Sequence, residues 1–293
     1  MKRANLLLLT ALAMLAFAAN SVLCRLALRH TQVDAATFTA VRLVSAALVL
    51  WLIVRLRSRG AAAGGNWPSA LALFTYAAAF SFAYTGLQAG IGALILFGCV
   101  QATMVGHGLW RGERLNLFQV VGMVIAFAGL VGLLLPQGAV PAPPLGSAAL
   151  MMGAGAAWGV YSLRGRVAQD ATAATQGNFA RTVPMVAVLA LASVSYLRFD
   201  AAGMALAVAS GSLASGLGYV VWYTVTPHLK AAHAATVQLS VPLIATAAGA
   251  VLLGESMSAL QLLAGAAIVG GIWLSLFKRA PATGGLRSDN RSG

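Results

Sequence analysis

Apolar stretches of about 20 residues recur ten times along the chain, and short polar or basic segments separate them. A stretch of that length can cross the hydrocarbon core of a bilayer as a helix. Because lipid offers no hydrogen-bond partners, the backbone of each crossing must satisfy its own polar groups. The pattern therefore predicts an all-α integral membrane protein with ten transmembrane helices. The predicted spans are 5–24, 35–54, 68–88, 91–110, 115–135, 145–163, 176–197, 203–225, 231–253 and 258–277.

The second half of the chain repeats the first half. Matched positions lie 139 to 142 residues apart: Arg25 with Arg164, Arg42 with Arg181, Glu113 with Glu255, and Gly129 with Gly271. Each copy contains five predicted spans, an odd number, so the second copy enters the membrane inverted relative to the first. Two inverted five-helix repeats are typical of carriers that work by alternating access.

Domain boundaries follow from this repeat and from composition. Residues 1–135 are predicted to form the first repeat and residues 147–277 the second. Between them, the uncharged and proline-rich segment 136–146 is predicted to be an extracytoplasmic linker. The polar, basic segment 278–293 is predicted to be a disordered cytoplasmic tail.

Composition and charge support a membrane protein and indicate its orientation. Hydrophobic residues make up 60% of the chain and charged residues 9%, with a mean hydropathy of +0.84; soluble domains contain about 25% charged residues. The net charge of +13 does not indicate nucleic-acid binding, because the basic residues form short clusters between spans. With a cytoplasmic N-terminus, most of the 19 Lys and Arg residues lie on the cytoplasmic side, which predicts that both termini are cytoplasmic.

The first span has a competing interpretation as a signal peptide. Lys2 and Arg3 precede an apolar stretch that ends in the small-residue pattern Ala16-Phe17-Ala18. The repeat favours a retained helix, because span 145–163 is the counterpart of span 5–24 and cannot be a signal.

Several short motifs accompany the repeat. They are Ala157-Trp158-Gly159 in the sixth span, its loose counterpart Ala18-Ala19-Asn20 in the first, the Gly-Glu pairs that close the fourth and ninth spans, and the stretch VQLSVP that ends at Pro242. Together with the span count, they resemble the drug/metabolite transporter superfamily, in particular its ten-helix members built from two EamA-type domains, over residues 5–277. The resemblance implies an inner-membrane carrier of small metabolites, often an exporter of amino acids or related compounds.

Seven residues are candidates for substrate contact: Asn20, Tyr76, Phe80, Gln101, Trp158, Gln238 and Ser240. Amide side chains both donate and accept hydrogen bonds, which suits a zwitterion. The aromatic candidates lie too deep for an interfacial belt and would suit an amphipathic solute. Helix packing and interhelical hydrogen bonding are the alternative roles for the same side chains.

Five residues are candidates for structural or gating roles: Arg42, Arg181, Pro242, Glu113 and Glu255. An arginine inside a span is costly and needs a partner; bonds to carbonyls or snorkelling are expected here in preference to anion binding. Pro242 is expected to kink the ninth span, because it frees the carbonyl four residues earlier. No predicted span contains Asp or Glu, so passive or exchange transport is expected in preference to proton coupling.

The sequence predicts a secondary transporter and not an enzyme. No nucleophile–base or metal-ligand constellation is present in it, so no catalytic residue, metal or cofactor is expected. The expected partners are a small-molecule substrate and the bilayer, with no nucleic acid; an oligomer is possible but not implied. Two alternatives remain open: a multidrug efflux carrier and a non-transporting membrane scaffold.

Overall fold

The computed structural model describes residues 3–57, 64–112, 116–135, 142–165, 170–229 and 237–275. Over these ranges the chain forms ten helices and no strands, which confirms the predicted all-helical membrane fold. The helices are α1 (Arg3–His30), α2 (Ala35–Arg57), α3 (Trp67–Ala83), α4 (Ala89–Trp110), α5 (Leu117–Leu134), α6 (Leu145–Gly165), α7 (Ala171–Ala192), α8 (Ala201–His228), α9 (Ser240–Leu253) and α10 (Ala259–Ser275).

Five of the described helices are long and apolar enough to cross a membrane: α1, α2, α4, α5 and α8. Large apolar side chains such as Leu7, Phe127 and Val251 are exposed on the outer faces, where lipid would cover them. Helix α7 begins five residues before the predicted span, because the Asp170 carboxylate accepts hydrogen bonds from two backbone N–H groups of its first turn.

The predicted domain boundaries stay predictions. Helix α6 begins at Leu145, two residues before the predicted start of the second repeat. Most of the predicted linker, residues 136–141, and the whole of the predicted tail lie outside the described residues.

Helices from the two repeats pack against each other in pairs. Helix α5 lies along α10, α3 and α4 both contact α6, and α2 contacts α7 and α8. The α5–α10 contact is close because Gly122 and Gly271 each lie against the backbone of the other helix. Small residues allow such approach between membrane helices. This pairing leaves α1 to α4 and α6 to α9 around the centre of the molecule.

Gly271→Ala should destabilise the protein, because a Cβ at this position would overlap the backbone of Gly122 and Ala126. Overpacking of this kind costs about 1–3 kcal/mol. Gly270→Ala is the matched control, since a Cβ there would meet no atom within 4 Å. Thermal unfolding in detergent should show a lower Tm for the first variant only. Equal Tm values for the two variants would contradict the packing.

One helix is irregular, which the sequence interpretation did not anticipate. Residues Ser210–Leu217 of α8 form a π-helical segment rich in Gly and Ser. A Cβ at Gly211 would overlap the carbonyl oxygen of Arg42 and the hydroxyl of Ser45, so α8 approaches the α2 backbone at this point. The extra residue per turn shifts the side chains of Ser210 and Ser215 relative to a regular helix.

The turn between α1 and α2 is organised by Asp34. Its carboxylate accepts hydrogen bonds from the N–H groups of Ala36 and Thr37, from the Thr37 hydroxyl, and from the Arg198 N–H at the α7–α8 connection. Partial burial raises the pKa of Asp34, but these hydrogen bonds outweigh it, so the pKa is lower than usual. Asp34 therefore caps α2 and also ties the first repeat to the second.

Asp34→Ala should lower the stability at neutral pH by more than the loss of a cap, which is worth about 0.5–2 kcal/mol. Because the folded-state pKa of Asp34 is depressed, its contribution is present above the unfolded-state value of about 3.9 and is lost as the pH falls through the folded value. The Tm difference between wild type and variant should therefore shrink under acid. Asp170→Ala, which removes only a cap, should have the smaller effect at pH 7.

Candidate substrate site

A small cavity lies at the centre of the molecule, between the two repeats. Its wall consists of Phe17, Asn20, Ser21, Tyr76, Phe80, Leu96, Phe97, Trp158, Ala214 and Tyr219. These residues come from α1, α3 and α4 of the first repeat and from α6 and α8 of the second. The cavity volume is about 20 Å³, room for about one water molecule. In this structure the cavity is therefore too small for a metabolite, and the wall must separate to admit one.

Aromatic rings form most of the cavity wall, and Trp158 is in contact with three of them. Its centroid lies 4.8 Å from that of Tyr76, 5.1 Å from that of Tyr219 and 6.3 Å from that of Phe17. The rings meet in tilted and edge-to-face arrangements, which are favourable for aromatic pairs. The cluster joins α1, α3, α6 and α8, so a substrate that separates these rings would also separate the repeats.

Polar groups of the wall form a short chain across the repeats. The Asn20 amide nitrogen donates to the Tyr76 hydroxyl at 3.2 Å, and its amide oxygen accepts from the Ser210 hydroxyl at 2.6 Å. Ser210 is the first residue of the π-helical segment of α8. Its hydroxyl is the donor that the Asn20 amide oxygen accepts from. The side chains of Asn20 and Ser210 are buried.

Arg42 lies directly behind this wall. Its side chain is buried, at 1% exposure, and its Nη2 donates to the Tyr76 hydroxyl at 3.2 Å. Its Nε donates to the Ser215 hydroxyl at 3.3 Å, and its guanidinium carbon lies 4.9 Å from the Phe80 centroid and 5.3 Å from the Tyr76 centroid. Nη1 is buried and has no hydrogen-bond partner.

One helical turn beyond the cavity along α1 and α3 lies a group of contacts around Glu255, here called the Glu255 gate. Arg25 Nε donates to Glu255 Oε1 at 2.9 Å, and the N–H of Ala89 at the start of α4 donates to Oε2 at 2.8 Å. Arg25 Nη1 also donates to the carbonyls of Tyr84 and Thr85. The gate therefore joins both repeats through a buried ion pair.

Towards the opposite end of α3 lies a second group of contacts, here called the Arg164 gate. Arg164 of α6 donates to the Ser69 hydroxyl at 2.9 Å and to the Asn66 side-chain oxygen at 3.1 Å. The Asn178 side-chain oxygen accepts from the Asn66 N–H at 2.9 Å. Arg181 Nη1 donates to the carbonyls of Gly64 and Gly177, both at 2.8 Å.

Four of the seven predicted substrate residues line the central cavity: Asn20, Tyr76, Phe80 and Trp158. The other three do not reach it. Gln101 lines a separate, mostly apolar cavity of about 130 Å³ between α4, α5 and α10. The Ser240 hydroxyl donates to the Val237 carbonyl at 2.7 Å, and Gln238 is half-buried in the short helical turn before α9.

The predicted gating residues are placed as follows. Glu255 is buried in an ion pair, and Arg181 binds backbone carbonyls. Pro242 lies in the first turn of α9, and the start of the predicted ninth span lies outside the described residues. The helical turn before it ends at Leu239, so Pro242 marks an interruption between two helical segments. Glu113 lies outside the described residues.

Sequence interpretation missed six wall residues: Phe17, Ser21, Leu96, Phe97, Ala214 and Tyr219. Phe17 precedes Asn20 by three residues and Ser21 by four, the spacing that places side chains on one face of a helix. That spacing could have identified both. Tyr219 follows the π-helical segment, whose effect on the direction of later side chains a regular helical pattern does not show.

The chain is similar to known proteins over most of its length. The EamA-like transporter family model matches residues 5–135 and 145–277, once for each repeat. The uncharacterized protein PA1977 of Pseudomonas aeruginosa is 53% identical over 274 residues, which cover 93% of this chain and 95% of that protein. A protein of known crystal structure superposes with a TM-score of 0.63 over 94% of this chain and 98% of its own, at 20% identity, which shows similarity of fold.

Proposed function

Because the chain belongs to the EamA-like transporter family, we propose that it exports small amphipathic metabolites, amino acids or related compounds, through the cavity between its repeats. The chain is a multi-pass membrane transporter of the drug/metabolite type. The proposal adds the substrate class, the direction and the route. It also assigns the protein to the cytoplasmic membrane, with both termini in the cytoplasm.

One observation supports the route above the others: the cavity lies between the repeats, with a gate that joins the repeats on either side of it. Breaking the Glu255 gate would open one end, and breaking the Arg164 gate would open the other. The predicted topology places the Glu255 gate outside and the Arg164 gate in the cytoplasm. Transport by rocking of the two repeats then requires only that the gates break in turn.

The wall suits a substrate with both apolar and polar parts. Six of its ten residues are aromatic, and Asn20 and Ser21 add polar groups. None of the wall residues is acidic, so the cavity itself provides no carboxylate for a proton relay. We therefore propose passive or exchange transport.

Purified protein in liposomes, loaded with a panel of labelled amino acids and related carboxylates, tests the proposal. Wild type should move at least one member of the panel, and Trp158→Ala should reduce that flux strongly because three ring contacts of the wall are lost. Trp51→Ala is the matched control: Trp51 is 48% exposed on α2, away from the cavity. If wild type moves no solute of the panel, the carrier proposal is wrong.

Direction requires a separate measurement on sealed vesicles of known sidedness. Everted membrane vesicles that contain the protein should take up the substrate identified in liposomes at a higher initial rate than right-side-out vesicles, because their outer face is the cytoplasmic one. Uptake by right-side-out vesicles only would contradict export.

The aromatic wall also supports a second candidate, a multidrug efflux carrier. A carrier of this kind recognises apolar bodies with few polar contacts, and aromatic rings dominate the cavity wall. Asn20→Ala discriminates the two, since it removes an amide at the centre of the cavity. Flux of apolar dyes that survives this change, with no flux of metabolites by wild type, would favour drug efflux.

A further inference from the structure

The Arg42 guanidinium is incompletely satisfied. Of its three nitrogens, Nη1 has no hydrogen-bond partner although it is buried, and the two others reach only neutral hydroxyls at 3.2 and 3.3 Å. A hydrogen bond between charged groups is normally shorter, about 2.7–2.9 Å. The charge also lies within the apolar part of α2, seven residues after its first residue. An arginine in such a position needs a stronger partner than a hydroxyl.

The described part of the chain offers no acidic partner to Arg42. The ion pairs found there are those of Arg25 and Arg29 with Glu255, at the gate and not at the cavity. Two ring faces, those of Tyr76 and Phe80, contribute the remaining stabilisation. The group formed by Arg42 and its contacts Tyr76, Phe80 and Ser215 therefore carries one uncompensated positive charge.

Three side chains with donor hydrogens meet at the Tyr76 hydroxyl. The Tyr76 hydroxyl oxygen accepts from both Arg42 Nη2 and Asn20 Nδ2, so both of its lone pairs are engaged and its own hydrogen is left to donate. Arg42 Nη1 adds two unused hydrogens. Tyr76 and Asn20 both line the cavity, so these donors lie at its surface or directly behind it. A group rich in donors and positively charged requires an acceptor that is negatively charged.

We propose that the cavity binds a monoanionic carboxylate with an apolar body and no amino group, and that Arg42 anchors the carboxylate together with Tyr76. This deepens the proposed function, on which it rests, by selecting among amino acids and related compounds. The carboxylate oxygens replace neutral hydroxyls as acceptors for Arg42, and the aromatic wall holds the apolar body. The wall opens to admit the substrate, since the closed cavity has room for about one water molecule.

An amino group on the substrate works against binding. The ammonium of an amino acid lies next to its carboxylate, so it would be close to the Arg42 guanidinium and be repelled by it. No wall residue is acidic, so the ammonium would lose its hydration without gaining a counter-ion. The net charge of the occupied site is zero with a monoanion and remains +1 with a zwitterion.

Three compounds that share a phenylethyl unit isolate the effect of charge: 3-phenylpropanoate, phenylalanine and 2-phenylethylamine. Their binding to the purified full-length protein is measured by calorimetry at pH 7.5, which is independent of passive leakage through a bilayer. Wild type should bind 3-phenylpropanoate at least about tenfold more tightly than phenylalanine, and 2-phenylethylamine least tightly. A tighter complex with phenylalanine or 2-phenylethylamine, or no binding of 3-phenylpropanoate, would overturn the proposal.

Substitution of Arg42 then tests whether its guanidinium binds the carboxylate. Arg42→Gln should weaken 3-phenylpropanoate binding by about ten- to a hundredfold, because charge-assisted hydrogen bonds are lost; Arg42→Lys, which keeps the charge without the planar fork, should weaken it less. Arg55→Gln is the matched control, since Arg55 lies on the same helix as Arg42 but is exposed and lies over the ring of Trp51. Unchanged affinity in Arg42→Gln would contradict the assignment.

Comparison of the three compounds distinguishes failure of this inference from failure of the proposed function. Flux of phenylalanine in liposomes, together with preference for it in calorimetry, would leave the carrier intact and overturn the inference alone. Absence of flux for every solute would overturn the carrier itself. Should the Arg42 variants fail to fold, the order of affinities in wild type still decides the proposal.

Discussion

Replacing Glu255 with alanine should open the end of the molecule that the Glu255 gate closes. The change leaves the buried Arg25 guanidinium without its counter-ion and the Ala89 N–H without its acceptor. Loss of one member of a buried ion pair costs about 3–5 kcal/mol. A cysteine introduced at Val22, which is buried beside Ala89 and Leu253 at this gate, should therefore react at least about tenfold faster with a maleimide.

The matched control for this experiment is Arg29→Gln. Arg29 is half-exposed and lies 3.7 Å from the same carboxylate, so its loss should change the labelling rate little. All variants carry alanine at Cys24 and Cys99, so that the introduced cysteine is the only thiol. Equal labelling rates in the Glu255→Ala and wild-type backgrounds would show that the ion pair does not hold the gate closed.

Replacing Gly211 with alanine should separate α2 from α8 and disrupt the cluster around Arg42. The new Cβ would overlap the Arg42 carbonyl oxygen and the Ser45 hydroxyl. We expect a loss of stability of about 1–3 kcal/mol. Because Arg42 Nε donates to Ser215 on the same π-helical segment, the displacement should also weaken anion binding. Thermal unfolding and calorimetry with 3-phenylpropanoate measure the two effects.

Gly216→Ala is the control for Gly211→Ala, since it lies in the same segment and its Cβ would approach no atom closer than 3.3 Å. It tests whether loss of a glycine from the π-helical segment is itself harmful. If both variants unfold at the same temperature and bind alike, the close approach at Gly211 has no special role.

Hydrophobic pattern was sufficient to predict the architecture. Ten apolar stretches gave ten helices in the described residues, since a segment in lipid has few alternatives to a helix. The pattern could not show where α8 becomes a π-helix, because that depends on how closely Gly211 packs against α2.

The site was predicted only in part, and the reason lies in helix rotation. Asn20, Tyr76, Phe80 and Trp158 face the centre, whereas Gln101 faces α5 and α10. A span that is apolar all round gives no periodic signal to tell which face is buried. An amide in such a span can therefore be recognised as unusual without its direction being known.

Two residues at matched positions of the repeats need not have the same role, as Arg42 and Arg181 show. Arg42 and Arg181 occupy matched positions and were expected to have one role. The structure buries Arg42 against aromatic rings and hydroxyls, while Arg181 is half-buried and binds the carbonyls of Gly64 and Gly177. The difference depends on which helix faces each arginine, a tertiary contact that the repeat does not encode.

The central claim, that the repeats must separate at the Glu255 gate for transport, is tested by a reversible cross-link. Arg25→Cys and Glu255→Cys, in a chain without its native cysteines, are joined by a short bifunctional thiosulfonate reagent in liposomes, and flux of the identified substrate is measured before and after reduction. The single Arg25→Cys variant with the same reagent is the control. We expect the cross-linked protein to have no flux, and reduction to restore it. Full flux through the cross-linked protein would contradict alternating access at this gate.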